Sequence, residues 1–189
     1  MALAAPSTDP AVLIAQETSD AYTFRNFTAE TAWTLGVALR ERLLSLPPGQ
    51  RKPAVVSISL ANGQVVFQCA TEPGTVLDNE TWVRRKRNTV LRWGVSSWGM
   101  RMKMVAGLGG VGVATADEVE AKLVKTFTLA SSNGGAVADD YCIHGGGYPV
   151  RVRGVEGVVA IVVVSGLKQE DDHAVVVETV REVVAAQGE

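Results

Sequence analysis

YCIHGGGYPVRVRGVEGVVAIVVVSGLKQEDDH, residues Tyr141 to His173, decides how the rest of the chain is read. Gly145, Gly146 and Gly147 permit backbone angles closed to other residues and let a neighbour approach the main chain. Tyr148-Pro149 favours an extended entry into the next segment. Val150, Val152 and Val155 are interrupted by Arg151 and Arg153, the period of a half-buried strand. Gly154-Val155-Glu156-Gly157 predicts a turn. Val158 to Val164 is an unbroken apolar run, β-branched except at Ala160. That is the pattern of a strand covered on both faces at the centre of a sheet. It is far shorter than the ~20 apolar residues that span a bilayer. Ser165-Gly166 ends it, and a helix starts within Leu167 to Asp171.

Working outward, the last helix is expected over Gln169–Ala186, with Val176, Val177, Val180 and Val184 as its apolar stripe. Glu170, Asp171 and Asp172 suit the positive end of its dipole. Upstream, Ala54–Leu60 and Val65–Ala70 flank Asn62-Gly63, the signal of a tight hairpin with a type I′ turn. Thr28 caps a helix running to about Ser45, where Pro47-Pro48-Gly49 stops it. Asp78 is expected to cap a helix over Asn79–Trp93. Asp9 and Pro10 start a short helix to Gln16, and Ala21–Phe27 reads as a strand or extended lead-in. Met1–Asp9 reads as a flexible tail. Gly94–Met100 reads as a helix end or loop and Gly107–Gly112 as a mobile loop. Asp117–Val124 reads as a short helix and Lys125–Leu129 as extended. Asn133-Gly134-Gly135 reads as a turn leading to a strand near Tyr141. Hairpins with interspersed helices predict an α+β fold rather than a doubly wound one. The expected division is an N-terminal extension over 1–20 and a single domain over 21–189.

At 189 residues, 47% hydrophobic and 20% charged, the chain is globular and long enough for a real core. A net charge of −2 makes nucleic acid an improbable partner. Cys69 and Cys142 give neither a disulfide framework nor zinc-finger spacing. Reduced thiols in the cytoplasm are the simplest account. The start MALAAPSTDP lacks a basic segment followed by a long apolar run, so no secretory signal is expected.

Four segments carry a family resemblance: VSISLANGQVVF (Val56–Phe67), LDNETWVRRKRNTVLRWGVSSW (Leu77–Trp98), HGGGYPV (His144–Val150) and IVVVSGLKQEDDH (Ile161–His173). SGLKQEDDH and DNxxWxxRKxxT are the specific signatures. On these the chain resembles the UPF0303 group, a branch of the haem-degrading/GlcG–HbpS-like superfamily. The resemblance implies a profilin-like antiparallel sheet with helices packed on both faces, assembled as a homo-oligomer. Some members of that superfamily bind haem or corrinoid, and many have no established activity. The stretch Val105–Asn133 is longer and richer in glycine than the resemblance implies.

His144 stands just before the glycine triplet. Its imidazole could ligate haem iron or move a proton, while the amides of Gly145, Gly146 and Gly147, with Tyr148 beside them, hold an anion. The plainer reading is a tight turn between packed elements, with His144 making one hydrogen bond. His173, beside Asp171 and Asp172, could form a carboxylate–imidazole pair, but reads first as a structural histidine at a helix start. Arg84, Arg85, Lys86 and Arg87, followed by Arg92, Arg101 and Lys103, are the one strong charge cluster. Guanidinium forks there suit carboxylates and phosphates, haem propionates included. A solvated helix face or a subunit interface would use the same residues. Trp82, Trp93 and Trp98 could line a flat ligand's site or fill a core. GLGGVG (Gly107–Gly112) lacks the Lys-Ser/Thr of a phosphate loop, and Ser96 and Ser97 lie outside a GxSxG motif. No dedicated metal site is expected.

The leading expectation is a homo-oligomeric cytoplasmic protein that binds a small anionic ligand through His144, the glycine loop, Tyr148, Arg84, Arg85, Lys86 and His173. Haem or another tetrapyrrole is suggested by the resemblance alone. An adaptor assembly that recruits other proteins is the alternative. An enzyme with His144 as base and Arg84 or Arg85 as anion clamp is the third.

Overall fold

The structure, a computed structural model, describes residues 3–129 and 137–188; the expected turn at Asn133-Gly134-Gly135 lies outside them. Chain order is α1 (Pro10–Glu17), β1 (Thr23–Phe24), α2 (Ala29–Leu44), β2 (Val55–Leu60), β3 (Val65–Ala70), α3 (Leu77–Trp93), α4 (Ser97–Ala106), α5 (Ala116–Phe127), β4 (Gly147–Val152), β5 (Ala160–Ser165) and α6 (Gln169–Ala186). The strands form one sheet in the order β1-β4-β5-β2-β3. Among the described residues no helix is long and apolar enough to cross a membrane.

The apolar run is the centre of the sheet, as its composition predicts. β5 pairs antiparallel with β4 on one side and β2 on the other, setting Val162 opposite both Tyr148 and Ile58. Val162 and Val164 face a core built with Leu35 and Leu39 of α2 and Val176 and Val180 of α6. Ile161 and Val163 face Val83 and Val90 of α3. Helices cover both faces, so no position of β5 meets water and none needs a polar side chain. A second cluster, around Leu13, Trp98, Met102, Val119 and Leu123, joins α1, α4 and α5 beside the sheet.

Several local readings need correction. Ala21–Phe27 contributes only the two residues of β1, which pair parallel with Arg151 and Val152 at the sheet edge. The other four strands are antiparallel. The β2–β3 loop is not a type I′ turn, because Asn62 stays out of the left-handed region and only Gly63 enters it, at φ +91°. Gly63 N–H donates to Leu60 O and Leu60 N–H to Gln64 O, so a three-residue loop closes with glycine at its left-handed position. α3 starts at Leu77, before the expected Asp78 cap, and Asn79 Oδ1 accepts the Val76 N–H at 2.8 Å. The loop expected over Gly94–Met100 is largely the first turn of α4, capped by Ser96 Oγ on the Gly99 N–H. Lys125–Phe127 is not extended but completes α5, which Thr128 ends at φ +52°. Near Tyr141 there is no strand, only a 3-10 turn at Ala138–Asp140, and β4 begins at Gly147.

Candidate functional site

The middle of α3 and the segment 140–147 form one unit, because the polar side of α3 holds that segment. Arg84 Nη1 meets Asp140 Oδ1 at 3.2 Å and Asn88 Nδ2 donates to Asp140 O at 3.0 Å. Arg85 Nε donates to Tyr141 O at 2.9 Å. Thr89 Oγ1 donates to Cys142 O and accepts the Cys142 N–H. His144 is thereby set against Trp82, ring centroids 5.3 Å apart, with the Arg85 guanidinium 5.2 Å from the Trp82 centroid.

Lys86 goes the other way, into the protein. Its ammonium donates to Asp172 Oδ2 and Val164 O, each at 2.9 Å, and both charged side chains are almost fully buried. Asp172 also accepts the amides of Gly166 and Leu167. This pair fastens α3 to the start of α6 across the end of β5. Loss of either partner would strand a buried charge, at about 3–5 kcal/mol.

The glycine triplet is closed rather than cradling. A Cβ on Gly145 would lie 2.1 Å from Gln169 O, and one on Gly146 2.3 Å from Val164 O. Gly146 also has φ +113°. Gly147 N–H already donates to Ser97 Oγ at 2.9 Å. These residues let the chain pass between α3, β5 and α6.

What remains open is a cleft of about 250 Å³ whose lining includes Asn79, Trp82, Lys86, His144, Gln169 and Asp172. His144 keeps about a third of its side chain exposed, and Nε2 lies 3.8 Å from Glu120 Oε1 of α5. Burial, then the positive charge of Arg101, holds its imidazole below the ordinary histidine value of 6.5, against the opposing pull of Glu120. The ring is therefore neutral at pH 7, with a nitrogen lone pair available. Of the basic run, Lys86 lines the cleft while Arg84 and Arg85 are turned to Asp140 and Tyr141. Tyr148 and His173 lie in the interior, ring centroids 6.2 Å apart. His173 lines a separate cavity with Tyr22 and Arg181, so the two histidines do not converge on one space. Asn79, Gln169 and Asp172 escaped the sequence reading as cleft residues, although all three stand inside the two quoted signatures. Arg101 and Glu120 carry no signal that links them to His144.

The profile of the family described as haem degrading protein HbpS-like matches residues 27–181. A UPF0303 protein of Psychromonas ingrahamii is 34% identical over 91% of each chain, and one of Streptomyces coelicolor 36% identical over 90% of this chain and 92% of that one. The chain belongs to the HbpS-like family, among its UPF0303 proteins. The crystal structure of Ybr137w protein is similar at a TM-score of 0.78 and 28% identity, covering 97% of this chain and 92% of that one. That of a PduOC:heme complex shares the HbpS-like fold at a TM-score of 0.55 and 18% identity, over 84% of this chain and 94% of that one. In this UPF0303 protein the two signatures meet physically, through Lys86 of the first and Asp172 of the second.

Proposed function

We propose that this UPF0303 protein is a cytoplasmic, self-associating binder of a small flat anionic ligand, haem by preference, at the Trp82–His144 cleft. One observation carries the reading: a neutral, partly exposed imidazole is held against an indole in a cleft backed by the buried Lys86–Asp172 pair. Neutral imidazole is the form that takes a metal. A cleft of about 250 Å³ is below the roughly 300–1,000 Å³ of sites that enclose a drug-sized ligand. It would accept a small anion whole, whereas haem would rest on the outer face of Trp82 and His144. His144 would hold the iron of a bound haem through an imidazole nitrogen. Glu120, more than half exposed, stands beside Nε2 and would have to swing aside. Arg85, its guanidinium 5.2 Å from the Trp82 centroid, would be the nearest partner for a propionate. Family membership and a fold shared with a protein crystallised with haem support the ligand class.

The test is a haem titration followed by visible absorption, on wild type and His144→Ala. The expected result is a saturable Soret shift in wild type that His144→Ala loses. An equal shift in both variants removes His144 as ligand, and no saturable shift removes haem. Arg84 and Arg85 tie down Asp140 and Tyr141, so their loss would act mainly by loosening the 140–144 segment.

A further inference from the structure

A second cavity, of about 370 Å³, lies on the far side of Gln169 from the His144 cleft. Its walls are apolar: Trp98, Met102 and Val105 of α4 and Val119 of α5. Its roof is the N-terminal strand of chain, Ala5, Pro6 and Thr8. That roof is tied by Ala4 N–H to Glu178 Oε1 at 3.0 Å and by Trp98 Nε1–H to Ser7 O at 2.9 Å. The polar end holds Arg101, Gln169 and Glu170. Two of these residues also carry a buried polar atom, Arg101 Nη1 and Gln169 Oε1, without a hydrogen-bond partner among the described residues. A buried guanidinium N–H left unpaired is costly, and its best partner is a carboxylate.

We propose that this cavity binds an apolar monocarboxylate, its charged end on Arg101 and its tail along Met102, Val105 and Val119. The charge balance selects that class. One guanidinium, with Glu170 at the same rim, can offset a single negative charge and not a phosphate dianion. The walls offer nothing to a polar tail, and burying a chain of methylenes is favourable by about 0.8 kcal/mol each. The site is distinct from the His144 cleft and does not rest on the haem reading.

The test is calorimetric titration of the full chain with octanoate and with its neutral counterpart octanamide. Wild type is expected to bind octanoate at least about ten-fold more tightly than octanamide, the usual weight of a charge-assisted hydrogen bond. Arg101→Gln should bind the two alike. Glu170→Gln, at the rim, should tighten octanoate and leave octanamide unchanged, which keeps the test decisive should Arg101→Gln unfold. The proposal is overturned by failure of octanoate to saturate by about 1 mM, where binding is already marginal. Equal affinity for acid and amide in wild type overturns it, as does discrimination that survives Arg101→Gln.

Discussion

His173 sits at 1% exposure, its ring centroid 6.2 Å from those of Trp98 and Tyr148, with Nδ1 lacking a partner among the described residues. Burial pulls its pKa from 6.5 to about 3. Between those values the unfolded chain holds a proton that the folded chain does not, so acid favours unfolding. The residue's share of stability is full above pH 6.5 and falls as pH drops towards 3, by about 1.4 kcal/mol per pH unit. His173→Phe removes the titration and keeps a ring in the same space. Urea midpoints measured from pH 7 down to pH 5 should therefore diverge, with wild type losing stability relative to His173→Phe. Parallel curves would mean that the imidazole is not buried in solution. Glu17 is buried as well, accepting the Ser96 N–H at 2.9 Å, and burial raises its carboxyl. Its contribution runs the opposite way, so the comparison between variants isolates His173.

At the level of elements, the segment from Gly145 to Gly147 behaves as a hinge pin between α3, β5 and α6. Gly146→Ala would place a methyl against Val164 O at a φ that L residues avoid. The backbone strain alone costs about 1–3 kcal/mol, and Val164 O also receives Lys86, so the buried ion pair would be disturbed with it. A fall in the thermal midpoint is expected, larger than for Gly154→Ala, where a Cβ meets nothing within 4 Å. Gly154 sits at φ +73°, near the left-handed region that L residues visit, so the difference reports the contact and the less tolerant angle of Gly146 together. The same stretch shows what a sequence can and cannot display. β5, α2 and α6 were readable because one period or one apolar run spans each of them. α4 was not, since Trp98, Met100, Met102, Met104 and Val105 are all buried and leave no polar face to mark a helical period. Met100, Met102 and Met104, separated by Arg101 and Lys103, even imitate a strand. Of the candidate site, His144 was visible as a lone histidine beside glycines. The inward turn of Lys86 was not, because nothing local joins it to Asp172.

For the molecule as a whole, β3 is one edge of the sheet, and large apolar side chains stand exposed on it, against it or shortly after it in the chain. Val65 lies on β3, Trp33 meets Phe67 edge to face while 64% exposed, and Leu77 is 87% exposed. An edge strand left in water invites another chain. Light scattering should give a mass that is a multiple of 20.0 kDa, and Trp33→Lys should shift it towards the single chain. A monomeric wild type would remove self-association from the proposed function.

The two residues of β1 have a consequence for how the protein is made. Thr23 and Phe24 pair with Arg151 and Val152, Glu17 with Ser96, and Ser7 with Trp98. A ribosome delivers the chain from its N-terminus at about 5–20 residues per second, so β1 waits on the order of ten seconds for its partner strand. For most of that interval, until residues 97–127 have been made, Leu13 has none of its α4 and α5 neighbours. The β2–β3 hairpin and α3 can form meanwhile, whereas β1 must wait for β4. A nascent-chain chaperone would meet this leading segment as an unburied apolar helix, and the roof over Arg101 would be laid only after synthesis is nearly complete.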